Sequence, residues 1–369
     1  MTDSRLSQVA LTLIPGIGNI ITKTLLSYIG SAEGIFKSNK SKLTKVPGIG
    51  EKTASSILSF KNFKEAERII TDCEKHKIDL LFTTDDKFPK RLNECADSPI
   101  LLFSKGNADL NNSKVLAIVG TRQSTSYGEA FIEKFLAELA PHNPLIISGL
   151  AYGIDVIAHK AAIKNKLPTV GVMASGMDII YPSTHRKYAT KMLENGGLLT
   201  EYTIGTQPDA HRFPARNRII AGLADAIIVV EASEKGGALI TAEIANNYNR
   251  EVFALPGNIT SNTSQGCNNL IKYHKAQILT SASDIEYYLN WEVGKVNKLP
   301  EEDDRKWLEK LNNEERNIVQ TIIDTSNYIQ IDELSWKTNI PLNFLATHLL
   351  NLEFNGIVKQ MPGKFFKIK

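Results

Sequence analysis

The chain has 369 residues, 42% of them hydrophobic and 22% charged, with a formal net charge of only +3. That composition excludes a disordered or collagen-like chain, leaves room for two or three domains, and means that any electrostatic site must be local. Three widely spaced cysteines, no HExxH-like cluster, an N-terminus too polar for a signal peptide and no apolar run near about 20 residues argue against disulfides, zinc and membrane insertion, and for a cytoplasmic protein.

Residues 1–75 read as a small all-α domain of short helices separated by glycine turns. Pro-Gly-Ile-Gly occurs twice, in LIPGIGNIITKTLL (13–26) and KVPGIGEKTASSIL (45–58), at a period of 32 residues. An apolar residue precedes each turn and an apolar 3–4 pattern follows it, as in a tight hairpin between two helices. Gly16, Gly18, Gly48 and Gly50 let the backbone approach a ligand, the next helix opens with free N–H groups, and Lys23, Lys45 and Lys52 lie nearby. The pair resembles helix-hairpin-helix motifs, which bind DNA backbone without reading sequence. The competing reading is a structural turn in a helical bundle.

Residues 76–112 read as a connector with one short apolar strand. Residues 113–290 have a different rhythm: VLAIVG (115–120), LIISG (145–149), TVGVMAS (169–175), GLLTEY (197–202), AIIVVEA (226–232), EVFALPG (251–257) and AQILTS (276–281) alternate with helical patterns. Near-continuous apolar runs between helices predict a mostly parallel sheet buried on both faces. The expected fold is α/β, Rossmann-like and doubly wound, with ligands outside the carboxyl ends of the strands.

Those ends hold the candidate site. The first run ends in GTRQSTSYG (120–128). Gly120 frees the backbone, Thr121, Ser124 and Ser126 can cap the next helix, and Arg122 stands where a helix N-terminus favours an anion. Arg122 takes the place of the second glycine of GxGxxG, so a dinucleotide pyrophosphate is not expected there. The second run ends in SGLAYGID (148–155), where Ser148, Gly149 and Gly153 form another small-residue turn. Gly236 and Gly237 precede a helix carrying Thr241. Several such turns on one edge point to a groove for several phosphates.

RFPARNRIIAGL (212–223) adds three arginines. Pro214 disfavours helix before it, so the helix is expected to begin near Arg216. Arg216 and Arg218 are two apart, flank Asn217 and face different ways, which makes them two phosphate contacts rather than one clamp. Phe213 offers a plane for base stacking, worth about 1–3 kcal/mol per base. The alternative is a structural ion pair with Asp225 or Glu231. Ser148, Asp155 and His159 do not make a convincing triad, because Asp155 and His159 lie one turn apart on one helix. No catalytic residue, metal or cofactor is assigned.

Residues 291–306 are charged and read as a linker. Residues 307–369 read as three helices, the third ended by Gly356, and a hairpin turning at Pro362-Gly363. This resembles a winged helix. Lys359, Lys364, Lys367 and Lys369 could reach phosphate, and a protein-binding or structural wing is the alternative.

The segments of the middle domain, from VLAIVGTRQSTSYG through SGLAYGIDVIAHKAA, GMDIIYP, RFPARNRIIAGL, IIVVEASEKGGALITAEIA and REVFALPG to GCNNLI, follow one another as in the DNA-processing protein A (DprA, also called Smf) family. The resemblance covers about 113–285, and the flanking modules match family architectures. It implies a non-enzymatic protein that binds single-stranded DNA, forms homodimers and loads the RecA recombinase in natural transformation. It places the family's key arginine on Arg122 and its Arg-Asn-Arg segment on Arg216, Asn217 and Arg218. Ser183 stands where some relatives carry a DNA-contacting lysine, and Arg186 or Lys187 could substitute. Tyr152 replaces a common basic residue, and Gly237 and Ala238 replace a more polar run. The helix NNLIKYH is a candidate dimer face or a packing element. The rival reading is a Rossmann-like nucleotide hydrolase of the lysine-decarboxylase-like group, for which GGALITAE would supply Glu243.

Overall fold

In the computed structural model, residues 3–291, 311–325, 328–361 and 365–368 are described. The chain divides into two units, Met1–Val293 and Gly294–Lys369.

The first unit is built on a nine-stranded sheet: β1 Asp79–Phe82, β2 Leu101–Gly106, β3 Val115–Val119, β4 Leu145–Ser148, β5 Thr169–Val172, β6 Gly196–Thr200, β7 Ala226–Val229, β8 Glu251–Ala254 and β9 Gln277–Ile278. The spatial order is β1-β2-β6-β5-β4-β3-β7-β8-β9. All seven apolar runs of the middle region are strands, and neighbours among β3–β9 pair in parallel. β1 and β2 pair antiparallel, and β2 extends the sheet antiparallel to β6. The segment 76–112 is thus no mere connector: it supplies two edge strands and the short helix Lys90–Asn93. LLFSKG reads as its single strand, whereas DLLF is too short for its pattern to stand out.

The parallel strands alternate between two cores. Val115, Ala117 and Val119 pack with Ile219, Ile220, Ala238 and Ala242 on one face. Leu116 and Ile118 pack with Ile132, Phe135, Ile154 and Ala158 on the other. All are buried, and each large side chain removed from water contributes about 1.5–3 kcal/mol. The helices Arg212–Leu223 and Gly237–Asn247 therefore cover one face, and Ser126–Leu139 and Ile154–Lys164 the other. β3 pairs with β4 on one side and β7 on the other, so successive connections leave in opposite directions at β3/β7. That switch point leaves a crevice beyond the strand ends. Trp291, read as the first residue of the linker, belongs to the core beside His142; 292–306 lie outside the described residues.

Helices Asp3–Thr12, Asn19–Ile29, Ala32–Lys37, Lys40–Thr44, Glu51–Ser59 and Phe63–His76 precede the sheet. The two glycine turns have one conformation: Gly16 and Gly48 lie at φ +78° and +79°, and Gly18 and Gly50 are extended N-caps at −87° and −82°. Ile17 and Ile49 anchor both turns in a shared core.

The second unit has helices Asn313–Asp324, Ile331–Thr338 and Leu342–Phe354. Its strands, β10 Tyr328–Gln330, β11 Val358–Met361 and β12 Phe365–Ile368, are ordered β10-β12-β11. A capping box of Asn312 and Glu315 starts its first helix. The expected turn at Pro362-Gly363, with Lys364 and Lys369, lies outside the described residues.

Candidate nucleic-acid interface

A cleft of about 640 Å³ occupies the β3/β7 switch point. It is lined by Gly120, Thr121, Arg122, Phe213, Arg216, Asn217, Gly236, Gly237 and Thr241, so nine of the expected site residues meet in one place.

The turn after β3 is held from the end of β7. The Thr121 amide donates to the Glu231 carbonyl at 2.6 Å. The Thr125 amide and hydroxyl donate to the buried Glu231 carboxylate at 2.9 and 2.6 Å. Thr125, rather than Thr121, Ser124 or Ser126, is the N-cap position, and its hydroxyl is spent on Glu231. Gly153 seats the turn from the other side. It lies at φ +73°, and a Cβ there would come within 2.3 Å of the Thr121 carbonyl oxygen. The Ile154 amide then donates to that carbonyl at 3.1 Å.

Arg122 emerges from this mount exposed. Its guanidinium carbon lies 5.4 Å from the centre of the Phe213 ring, and Phe213 lies 5.8 Å from Tyr181. Among the described residues no carboxylate pairs with Arg122. An exposed guanidinium and two aromatic faces can take a phosphate and an adjoining base.

Arg216 differs. It is 5% exposed. Its guanidinium donates to the Val172 carbonyl and converges with Asp155 on Gly149, where a Cβ would meet Asp155 Oδ2 at 2.2 Å and Arg216 Nη2 at 2.7 Å. Burial lowers the Arg216 pKa and Asp155 opposes the shift; a guanidinium nevertheless stays charged. Burial likewise raises the Asp155 carboxyl, against Arg216, the Ala151 amide, Ser148 and Arg122. Arg216 thus forms the charged floor of the cleft.

Three of the expected site residues lie outside the cleft lining. Arg218 does not line the cleft: it forms an ion pair with Glu201 in surroundings only about 15% exposed, from which Asp225 is removed by its own pair with Arg91. Ser148 is fully buried and donates to the Ile118 carbonyl at 2.6 Å. Gly149 is buried behind the cleft, where it makes room for Arg216 and Asp155. The helix also starts earlier than expected, at Arg212, because Pro214 falls in its first turn, where a missing N–H costs nothing. Arg212 folds over the Tyr202 ring, away from the cleft.

Other residues serve the mount. The Asn217 amide donates to the Gly237 carbonyl at 3.4 Å, tying the two helix starts together. Thr241 back-bonds to the same carbonyl at 3.3 Å. His159 is buried: Nε2 donates to the Gly149 carbonyl and Nδ1 meets Thr169 Oγ1, both at 2.7 Å. Burial lowers its pKa to about 4, so it is a neutral packing group. Tyr181 is not marked by the sequence, Gly153 reads only as a small residue of the second turn, and Glu231 only as a possible ion-pair partner of the arginines. Asp155 was visible only as a false triad member, and nothing local marks Glu231 as the partner of Thr125, 106 residues away.

Arg186 and Lys187 are exposed on the helix Arg186–Met192, outside the cleft. In the hairpins, Gly16, Gly18, Gly48, Gly50 and Lys52 are exposed. Lys23 is not available to a ligand: its ammonium donates to the carbonyls of Asn93 and Cys95 at 3.0 and 2.7 Å.

A doubly wound sheet with an arginine and aromatic rings over a charged floor at its switch point defines a Rossmann-like protein with a basic, aromatic-lined cleft. The comparisons with known proteins give the particular family. The family model described as DNA recombination-mediator protein A matches residues 79–290, and the chain belongs to that family. A SAM-like helix-hairpin-helix tandem model matches residues 9–60. The DNA processing protein DprA of Streptococcus pneumoniae is 42% identical over 201 residues, 54% of this chain and 71% of that protein. The X-ray structure of DprA from Streptococcus pneumoniae superposes with a TM-score of 0.66 at 32% identity, covering 78% of this chain and 98% of that one. A Helicobacter pylori DNA processing protein A structure, described for its single-stranded DNA binding mode, superposes with a TM-score of 0.53 at 29% identity, covering 58% and 96%.

Proposed function

We propose that the chain binds single-stranded DNA in the switch-point cleft and acts as a recombination mediator. The observation that carries this is Arg122, unpaired with any carboxylate among the described residues and set against Phe213 and Tyr181. Ring faces accept any base, but a paired duplex does not offer them its bases. Family membership and the Helicobacter pylori likeness favour single-stranded DNA over a free nucleotide. The same membership supports a cytoplasmic homodimer that loads RecA during transformation.

The protein is read as a binder rather than an enzyme. Glu243, which a nucleotide hydrolase would need, is not among the residues lining the cleft. Asp155 in the cleft accepts from the Ala151 amide at 3.3 Å beside the Arg216 charge, and the Asp209 carboxylate accepts from the His211 amide at 2.9 Å. The C-terminal unit is read as a winged helix with a protein partner, because Leu342–Phe354 contains no lysine or arginine. The boundaries 1–75, 113–290 and 307–369 serve as working limits for these modules.

Labelled oligo-dT and a duplex of equal length, assayed beside nucleoside-monophosphate hydrolysis, test the reading. Tighter binding of oligo-dT with no turnover is expected. Turnover together with salt-independent binding would establish the hydrolase instead.

A further inference from the structure

Beside the cleft a second hollow of about 140 Å³ shares Arg122, Phe213 and Tyr181 with it and adds Tyr152. Tyr181 and Tyr152 are 51% and 50% exposed, high for large rings that line a concave surface. Tyr152 is fixed rather than loose. Its ring lies 4.9 Å from that of His185, at 72°, and its hydroxyl accepts from Thr184 at 3.3 Å. His185 is itself buried and donates through Nδ1 to the Leu150 carbonyl at 2.9 Å. Beyond His185 the row continues to Tyr188, at 6.4 Å between ring centres.

At that end the charge changes. The ammonium of Lys160, on the helix Ile154–Lys164, lies 5.1 Å from the Tyr188 ring centre, and that of Lys187, on Arg186–Met192, lies 4.9 Å from it. One ring thus holds two ammonium groups from two helices at one place. The lysine one turn further along the first helix behaves otherwise: Lys164 pairs with Glu133 at 3.2 Å. Among the described residues no carboxylate pairs with Lys160, Arg186 or Lys187. Two like charges drawn together without an acid favour an anion between them.

We propose that this row is the exit path of the bound strand: bases leaving the cleft stack on Tyr181 and Tyr152, and the following phosphates rest on Lys160 and Lys187 around Tyr188. The inference rests on the cleft being a single-strand site and deepens it. The ligand is an extended polyanion with unpaired bases. A mononucleotide would occupy the cleft and leave the path empty.

The test uses the full chain and two oligo-dT probes, one of about 5 nucleotides and one of about 20, on either side of the length at which a strand outgrows a single groove. The double variant Lys160→Gln/Lys187→Gln is expected to bind the longer probe about tenfold more weakly and to lower its log–log salt slope by about 1.4, two phosphates' worth, with the shorter probe unchanged. Tyr152→Ala should also weaken only the longer probe, and Tyr152→Phe should restore it, because the stacking face is kept. Arg122→Ala, run in parallel, should weaken both probes. Unchanged binding of the longer probe by the lysine double variant overturns the path, as does an equal loss for both probes. Unchanged binding of both probes by Arg122→Ala overturns the cleft reading beneath it.

Discussion

Arg122 and Arg216 share a cleft but differ in what surrounds them, and the difference sets what each substitution should do. Arg122 is exposed and stacked on one ring, so Arg122→Ala should leave the melting temperature within a few degrees while weakening oligo-dT binding. Arg218 is the opposite case. Its pair with Glu201 is largely withdrawn from water, so Arg218→Ala strands a carboxylate and should cost about 3 kcal/mol of stability, read as a fall in the denaturant midpoint, with oligo-dT binding per folded molecule retained. His159 gives a pH signature. Its pKa is depressed to about 4, so the unfolded chain binds the proton first and stability falls as pH drops from about 6.5 through 4. The loss amounts to about 3 kcal/mol. In His159→Gln, which keeps a donor toward Gly149, that part of the decline in denaturant midpoint should disappear.

At the scale of elements, the site depends on how tightly the turn after β3 is held. Gly153 is the sharpest test. Any side chain there meets the Thr121 carbonyl in a left-handed conformation that disfavours Cβ. Gly153→Ala should cost roughly 2 kcal/mol in a denaturation curve and displace Arg122, so that it weakens oligo-dT binding although residue 153 touches no ligand. Much of this layout was legible beforehand. The seven strands were visible because parallel strands covered on both faces must be almost wholly apolar, and the hairpin repeat because glycine adopts the positive φ of Gly16 and Gly48 without steric cost. What was not legible depends on distant partners. Glu201 and Glu231 look like ordinary strand-end acids until the fold carries them to Arg218 and Thr125. Arg216 and Arg218 look alike in sequence, and only the faces they meet separate a cleft floor from a structural pair.

At the scale of the molecule, the helical region is tied to the sheet rather than tethered beside it. Lys23 caps carbonyls at Asn93 and Cys95, and Leu92 and Cys95 of the same segment pack on Gly222, at the far end of the arginine helix. The hairpins and the cleft therefore form one framework, whereas the C-terminal unit has a core of its own, from Leu311 to Ile368. A chain ended after Val293 should keep a cooperative unfolding transition and its affinity for oligo-dT. The most direct test of the account is the salt dependence of oligo-dT binding by the intact protein and by Arg122→Ala. The account predicts a linear fall of log affinity with log salt for the intact chain and, for the variant, weaker binding with a slope shallower by about 0.7, the share of one phosphate. An unchanged affinity and slope in Arg122→Ala would contradict it.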